Sequence, residues 1–342
     1  MMRQVLLTIG ALMALIVLIT AGTTPVSPSD RVSAESNVAE LLFEAGEAQP
    51  DHFLSYDEAD VKRGYELIHN GRTRKANGKR SKSISKFYSC TSCHNVQRED
   101  PNLTTVDPDA RLAYAMDNQL PYLQGSTFWG IVNRETWYND DYVLKYGDLV
   151  KDAEHSLEES IQLCAEYCAQ GRRLEAWEIN SILAYYWTLQ LKVADLDLPD
   201  EDLSRLEKAR AQGNDEQVIA VLKAAYSQKS PATFSKVPDD KTEGYDYQGR
   251  PELGKAIYEL SCQHCHKPYG VSDLVLDDAK YSFEWLRKNM TDHSQLSIYH
   301  IIREGTYSEK GHKEYMPLYT LEKMPHHQLE DLRSYIEQEA SR

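Results

Sequence analysis

The sequence predicts an all-α protein: two small helical domains of one plan, joined by a helical connector, with an N-terminal signal or anchor segment ahead of them. Three observations carry this. Apolar residues recur at i, i+3 or i+4, and i+7 in stretch after stretch, the period of a helix with one face in a core. The order helix, C-x-x-C-H, loop, closing helix occurs twice, which marks an internal duplication. The 342 residues are enough for two or three domains.

The N-terminus has Arg3 and then an apolar run from Val5 to Ala21. A short basic start and an apolar core fit an export signal. The run also approaches the roughly 20 residues that span a membrane. Residues 1–22 are therefore a signal peptide or a membrane anchor, with cleavage after Ala21 or Gly22 favoured over a later site after Ala34. No lipobox cysteine follows. In either case the body is delivered outside the cytoplasm, periplasmic or otherwise extracytoplasmic, soluble or N-terminally anchored. Residues 23–54, rich in Ser, Pro, Ala and acidic residues, read as a tether.

The first domain spans 55–191. Ser55-x-x-Glu58 is a capping box. Val61, Tyr65 and Ile68 follow on one helix face, and Gly71 is a C-terminal stop. The basic stretch 72–86 reads as a surface loop, and Cys90-Thr91-Ser92-Cys93-His94 comes next. The region 95–156 reads as long and irregular, with Phe128-Trp129-Gly130, Asn133-Arg134 and Trp137-Tyr138 as aromatic and basic landmarks. A helical stretch at 156–170 carries Leu157, Ile161, Cys164 and Cys168 and ends at Gly171. A closing helix follows with Ile179, Ile182, Leu183 and Tyr186 inward, expected to pack on the helix that begins at Ser55.

Residues 192–250 read as a connector. A charged helix opens at Pro199, a second is capped by Asn214, and a Pro/Asp/Gly/Tyr-rich run to Gly249 is a linker. The second domain, 251–342, starts with Pro251 at a helix N-terminus. Leu253, Ile257 and Leu260 form its stripe, and Cys262-Gln263-His264-Cys265-His266 follows directly. Helices near 281–290 and 296–303 precede a closing helix at Pro325 with Leu329, Leu332 and Ile336 inward. Gly64 and Gly254 hold similar places in the two pre-motif helices, where a glycine lets another helix cross closely.

A C-x-x-C-H motif reads as covalent attachment of a c-type haem. Two thiols add to the porphyrin vinyl groups, and the following histidine stands under the iron. Two copies imply two covalently attached haem c groups, on Cys90, Cys93 and His94 and on Cys262, Cys265 and His266. The alternative, a zinc site made from the four motif cysteines, leaves both histidines unexplained. The net charge of −15 argues against nucleic acid as a partner. It suits redox partner proteins such as a basic carrier cytochrome or a terminal oxidase; the membrane enters only through the N-terminal segment.

The ligand opposite each histidine sets potential and reactivity. In the second domain Met316 is favoured: Pro317 stiffens its polar loop, whereas Met324 sits at a helix start and Met290 is the reserve. In the first domain no Met-Pro loop stands before the closing helix, but Cys164 and Cys168 do. Cysteines at i and i+4 of a regular helix have Cβ atoms roughly 5–6 Å apart, and a disulfide wants about 3.5–4.5 Å. Three readings stay open: one cysteine ligates the first haem, the two form a disulfide, or both are inert. With a disulfide, Met116 and His155 are the remaining candidate ligands.

Both halves resemble class I cytochrome c domains, over about 55–191 and 250–340. The first half is more particular. Its pre-motif helix, C-x-x-C-H, Phe128-Trp129-Gly130, Ile161-x-x-Cys164, Gly171-Arg172 and closing helix resemble the first haem domain of tetrathionate-forming thiosulfate dehydrogenases. The diheme subunit of the sulfur-oxidising Sox complex is a more distant likeness. The resemblance implies that Cys164 is the distal ligand of a catalytic haem. This chain departs from that family in a longer insertion between His94 and Cys164, in Cys168 where the family commonly has a serine, and in the connector. The second half, with Tyr315-Met316-Pro317, resembles a general electron-transfer domain.

Two functions follow as expectations. One is a diheme cytochrome that relays single electrons outside the cytoplasm between a donor and a respiratory acceptor. The other is a thiosulfate dehydrogenase-like enzyme that couples thiosulfate to tetrathionate at the first haem, with Cys164 catalytic and Arg134, Arg172 and Arg173 as candidates to hold the anion.

Overall fold

The computed structural model describes residues 32–292, 295–306 and 315–342. The expected signal or anchor over 1–22 lies outside the described residues. Among those described, the chain is helical with no strand, only two isolated bridges, Asn37–Lys192 and Arg74–Arg80. In chain order the helices are α1 (Val38–Glu44), α2 (Glu58–Asn70), α3 (Pro108–Asn118), α4 (Asp140–Tyr146), α5 (Lys151–Glu154), α6 (Leu157–Leu163) and α7 (Ala176–Trp187). They continue with α8 (Asp200–Ala211), α9 (Asp215–Ala224), α10 (Pro251–Ile257), α11 (Gln263–His266), α12 (Lys280–Met290), α13 (Ile298–Glu304) and α14 (His326–Ser341).

Two helix crossings organise the molecule. α2 packs on α7, and α10 packs on α14. A Cβ on Gly64 would stand 1.9 Å from the Ser181 carbonyl oxygen and 2.8 Å from Tyr185 Cβ. A Cβ on Gly254 would stand 2.0 Å from the Asp331 carbonyl oxygen and 2.8 Å from Tyr335 Cβ. Only glycine permits either approach. The same kind of contact therefore occurs in both helix pairs.

Three apolar clusters fill the interior. Leu67, Ile68, Ile161, Ile182, Leu183 and Trp187 belong to the first. Ile257, Phe283, Tyr299, Leu329 and Ile336 belong to the second. The third joins α1 to the connector: Val38, Leu41 and Leu42 meet Leu206, Val218 and Leu222. The stretch 23–54, read as a tether, thus contributes a packed helix in its described part. Its Ser, Pro and acidic composition masks the short apolar stripe of Val38, Leu41 and Leu42.

Local details shift as well. The cap of α2 is Asp57 rather than Ser55: its carboxylate accepts the Asp60 N–H at 2.8 Å, and Asp60 answers at N3. Gly71 closes the helix with φ 65°, as expected. The region 95–156 is less irregular than its sequence suggests. Asp107 caps α3, with Pro108 in its first turn. Leu112 and Ala115 of α3 are buried in the second cluster, not the first. Tyr122 N–H bonds the Leu260 carbonyl at 2.9 Å, and its hydroxyl bonds Gln328 at 2.8 Å. The insertion that follows the first motif is a clamp on the second half.

Candidate functional site

Each motif presents its histidine in the same way. His94 Nδ1 lies 2.6 Å from the Ser126 carbonyl oxygen, and His266 Nδ1 lies 2.9 Å from that of Leu274. A carbonyl only accepts, so Nδ1 carries the proton in both rings and Nε2 keeps its lone pair. Burial lowers both imidazoles below the ordinary histidine value, against the pull of those carbonyls, which keeps them neutral. A neutral imidazole oriented through Nδ1 is how a histidine is set to bind a metal through Nε2.

Glycines make room beside both motifs. A Cβ on Gly125 would sit 2.6 Å from His94 Cε1, His94 Nδ1 and the Cys93 carbonyl oxygen. One on Gly270 would sit 2.4 Å from the Cys265 carbonyl oxygen. Phe128 stacks on His94, with ring centroids 4.5 Å apart. The four motif cysteines are free thiols that burial pushes up, Cys90 to about 11 and Cys262 to about 12.

The two motifs adjoin. Cys265 Sγ lies 3.8 Å from the Ser92 carbonyl oxygen, and the His264 ring bonds the backbone of Thr91 and Ser92. Even so, among the described residues no three His, Cys, Asp or Glu side chains are gathered to hold a metal ion, as a zinc site would need. A haem brings four nitrogen ligands of its own and asks only for axial ligands from the chain. One histidine per motif, beside two thiols, fits that group.

Met316 is partly buried and packs, like Leu260 and Cys262, against the second cluster. Thr306 clamps its backbone: Met316 N–H donates to Thr306 Oγ1 at 2.6 Å, and the Thr306 N–H donates to the Met316 carbonyl at 2.9 Å. Met290 and Met324 are fully inside the core, 2 % and 1 % exposed. Leu274, whose carbonyl holds His266, is 47 % exposed, so apolar surface borders this histidine.

After α6 the chain leaves the α-helical path. α6 runs into a π-helical turn over Cys164–Cys168, where Ala169 N–H reaches the Cys164 carbonyl at 2.8 Å. Such turns in α-helices are frequent at functional sites. The turn carries both thiols, and each acts on the ionisation of the other. Cys164 and Tyr315 both donate to Cys168, which lowers the Cys168 thiol against the effect of burial; donation and burial raise Cys164. Cys90 and Cys93 lie within electrostatic reach of Cys164. Tyr138, Tyr142, Tyr146 and Tyr315 surround Cys168, their hydroxyls pushed up by burial and kept neutral.

Met116 lines a groove with Leu112, Arg250 and Leu253, and the His155 side chain is 71 % exposed.

The three arginines separate. Arg172 forms a two-pronged pair with the fully buried Glu178, at 2.7 and 2.6 Å, and also donates to the carbonyls of Lys82, Ser83 and Arg173. Arg173 pairs with Glu159 at 2.9 Å. Both are committed to structure. Arg134 bonds Ser230 Oγ at 3.2 Å and makes no close ion pair among the described residues, with Glu99 acting on it only through space. It lines a 160 Å3 cavity with Ser126, Lys229, Lys323, Arg111 and Glu99.

Glu99 is the hub of that wall. It accepts from Lys323 at 2.7 Å, Asn95 at 2.9 Å, Thr127 N–H at 3.2 Å and Arg111 at 3.4 Å. Burial raises this carboxyl, but Lys323 and Arg111 outweigh it and hold the group far below the carboxylate range. Burial and Arg111 pull Lys323 down to about 8. Sequence reading did not find Glu99, Lys323 or Tyr315. Tyr315 stands beside Met316 in the Met-Pro loop, but nothing local says that it faces the other motif. The carbonyls of Ser126 and Leu274 carry no side-chain signal at all. Comparison with protein-family models, with curated proteins and with solved structures finds no match to this chain.

Proposed function

We propose that this chain is a diheme c-type cytochrome that transfers single electrons outside the cytoplasm between a donor and a respiratory acceptor. The observation that carries the reading is the paired presentation of His94 and His266. Each follows two free thiols, and each is held through Nδ1 by a backbone carbonyl so that Nε2 keeps its lone pair. Haem c, covalently attached at Cys90 and Cys93 and at Cys262 and Cys265, supplies the one-electron chemistry. Ser126 and Leu274 orient the proximal rings. Met316 is the candidate second ligand of the second group and Cys164 of the first. The net charge of −15 would steer a basic partner such as a carrier cytochrome. The test is haem content of the exported, purified chain after acidic organic extraction. Two retained haems per chain are expected; none retained, or zinc in their place, refutes the reading.

A second reading is favoured by Cys164 and Cys168 and by Arg134, which makes no close ion pair among the described residues. It is oxidation of thiosulfate to tetrathionate at the first site, with Arg134 supplying positive charge for the anion in place of the committed Arg172 and Arg173. Thiosulfate should then reduce the purified protein without other additions. If both haems stay oxidised, the enzyme reading is lost and electron transfer stands.

A further inference from the structure

We propose that Cys164 and Cys168 are a reversible dithiol–disulfide couple set into the wall of the first site. The inference deepens the haem reading of that site and rests on it. A regular helix keeps cysteines at i and i+4 too far apart for a bond. The π-helical turn over Cys164–Cys168, closed by Ala169 N–H on the Cys164 carbonyl at 2.8 Å, departs from that regular path and shortens the rise between the two positions. The turn is built in rather than incidental. Gly171 N–H closes it on the Ala165 carbonyl at 3.1 Å, and a Cβ on Gly171 would stand 2.2 Å from the Ile84 carbonyl oxygen. Gln170, just before, adopts φ 53°.

Both thiols are free in this structure, and Tyr315 stands near enough to Cys168 to act on its ionisation. The couple needs a two-electron oxidant, and a small disulfide R–S–S–R is the class that an oxidising compartment supplies. One sulfur attacks it, giving a mixed disulfide and one R–SH. The second sulfur displaces the other R–SH. The Cys164–Cys168 bond forms, the R–S–S–R bond breaks, and the two thiol protons leave on two R–SH. The cysteine sulfurs are oxidised and the external sulfurs reduced. The closed bond takes Cys164 out of service as a ligand and deprives Tyr315 of its thiol acceptor. In this way the redox state of the couple is passed to the loop that carries Met316.

The test uses the full-length haem-loaded protein equilibrated at a series of ratios of a small disulfide to its thiol. It is then alkylated under denaturing conditions and weighed by mass spectrometry. Two alkyl groups are expected at the reducing end and none at the oxidising end, with a mid-ratio switch. The spectrum of one haem should change in step, and Cys168→Ser should fix it in the reduced form. Two alkyl groups at every ratio overturn the proposal, and so does a mixed disulfide that stays on one cysteine. Six alkyl groups would instead show that the motif thiols are unmodified, which refutes the haem reading separately.

Discussion

Cys265 Sγ lies 3.8 Å from the carbonyl oxygen of Ser92, so the two C-x-x-C-H motifs share a border. Haems bound there would be near neighbours. Their strongest absorption bands should couple and give a two-signed circular dichroism signal in that region. A Cys262→Ala, Cys265→Ala variant, which loses the second group, should give a single-signed band. A single-signed band in the intact protein would contradict the proposed arrangement.

Gly64 and Gly254 make the two tightest helix crossings. Alanine at either forces a methyl group against a backbone carbonyl that cannot rotate away. Each of Gly64→Ala and Gly254→Ala should cost about 1–3 kcal/mol or more. Thermal unfolding of the purified protein measures it. A variant with an unchanged midpoint would mean that the crossing is looser than described.

Met316 and Met324 should behave differently. On the proposed diheme reading, Met316→Ala is expected to lower the potential of one haem and leave the other nearly unchanged, because methionine ligation raises potential. Met324 is buried in the core. Met324→Ala should cost about 2–5 kcal/mol of stability with both potentials kept. Potentiometric titration and denaturant unfolding of the two variants decide between these roles.

Glu99 ties the first motif's surroundings to Lys323 and Arg111. Its folded-state pKa is depressed, so its contribution is present above the unfolded carboxylate value. It is lost as pH falls through the folded value. Glu99→Gln leaves buried cations uncompensated and should cost about 3–5 kcal/mol at neutral pH. The gap between variant and parent should narrow as the pH is lowered below about 4. Parallel unfolding curves at pH 7 and pH 3 check the sign.

Much of the helical architecture is legible in the sequence, because helix period, caps and glycine stops are local. Asn214 before α9, Pro251 at the start of α10 and Gly71 after α2 can be read from a few neighbouring residues. α3 escapes because its apolar face serves the other half of the chain, so its own neighbourhood gives no reason for it. The first site divides the same way. Cys164 and Cys168 stand out as residue types, but the π-helical turn that joins them depends on how Gly171 meets Ile84 from another segment. Arg172 looks like an anion contact in sequence; only packing reveals the buried Glu178 that claims it.

The clamp formed by α3 also ties the two halves into one core: Leu112, Ala115 and Tyr122, far ahead of Pro251 in the chain, are buried around α10 and α14. The second half is therefore not complete without a piece of the first. A chain cut within the 230–249 linker would leave two fragments that still share a core, and they should associate again when mixed.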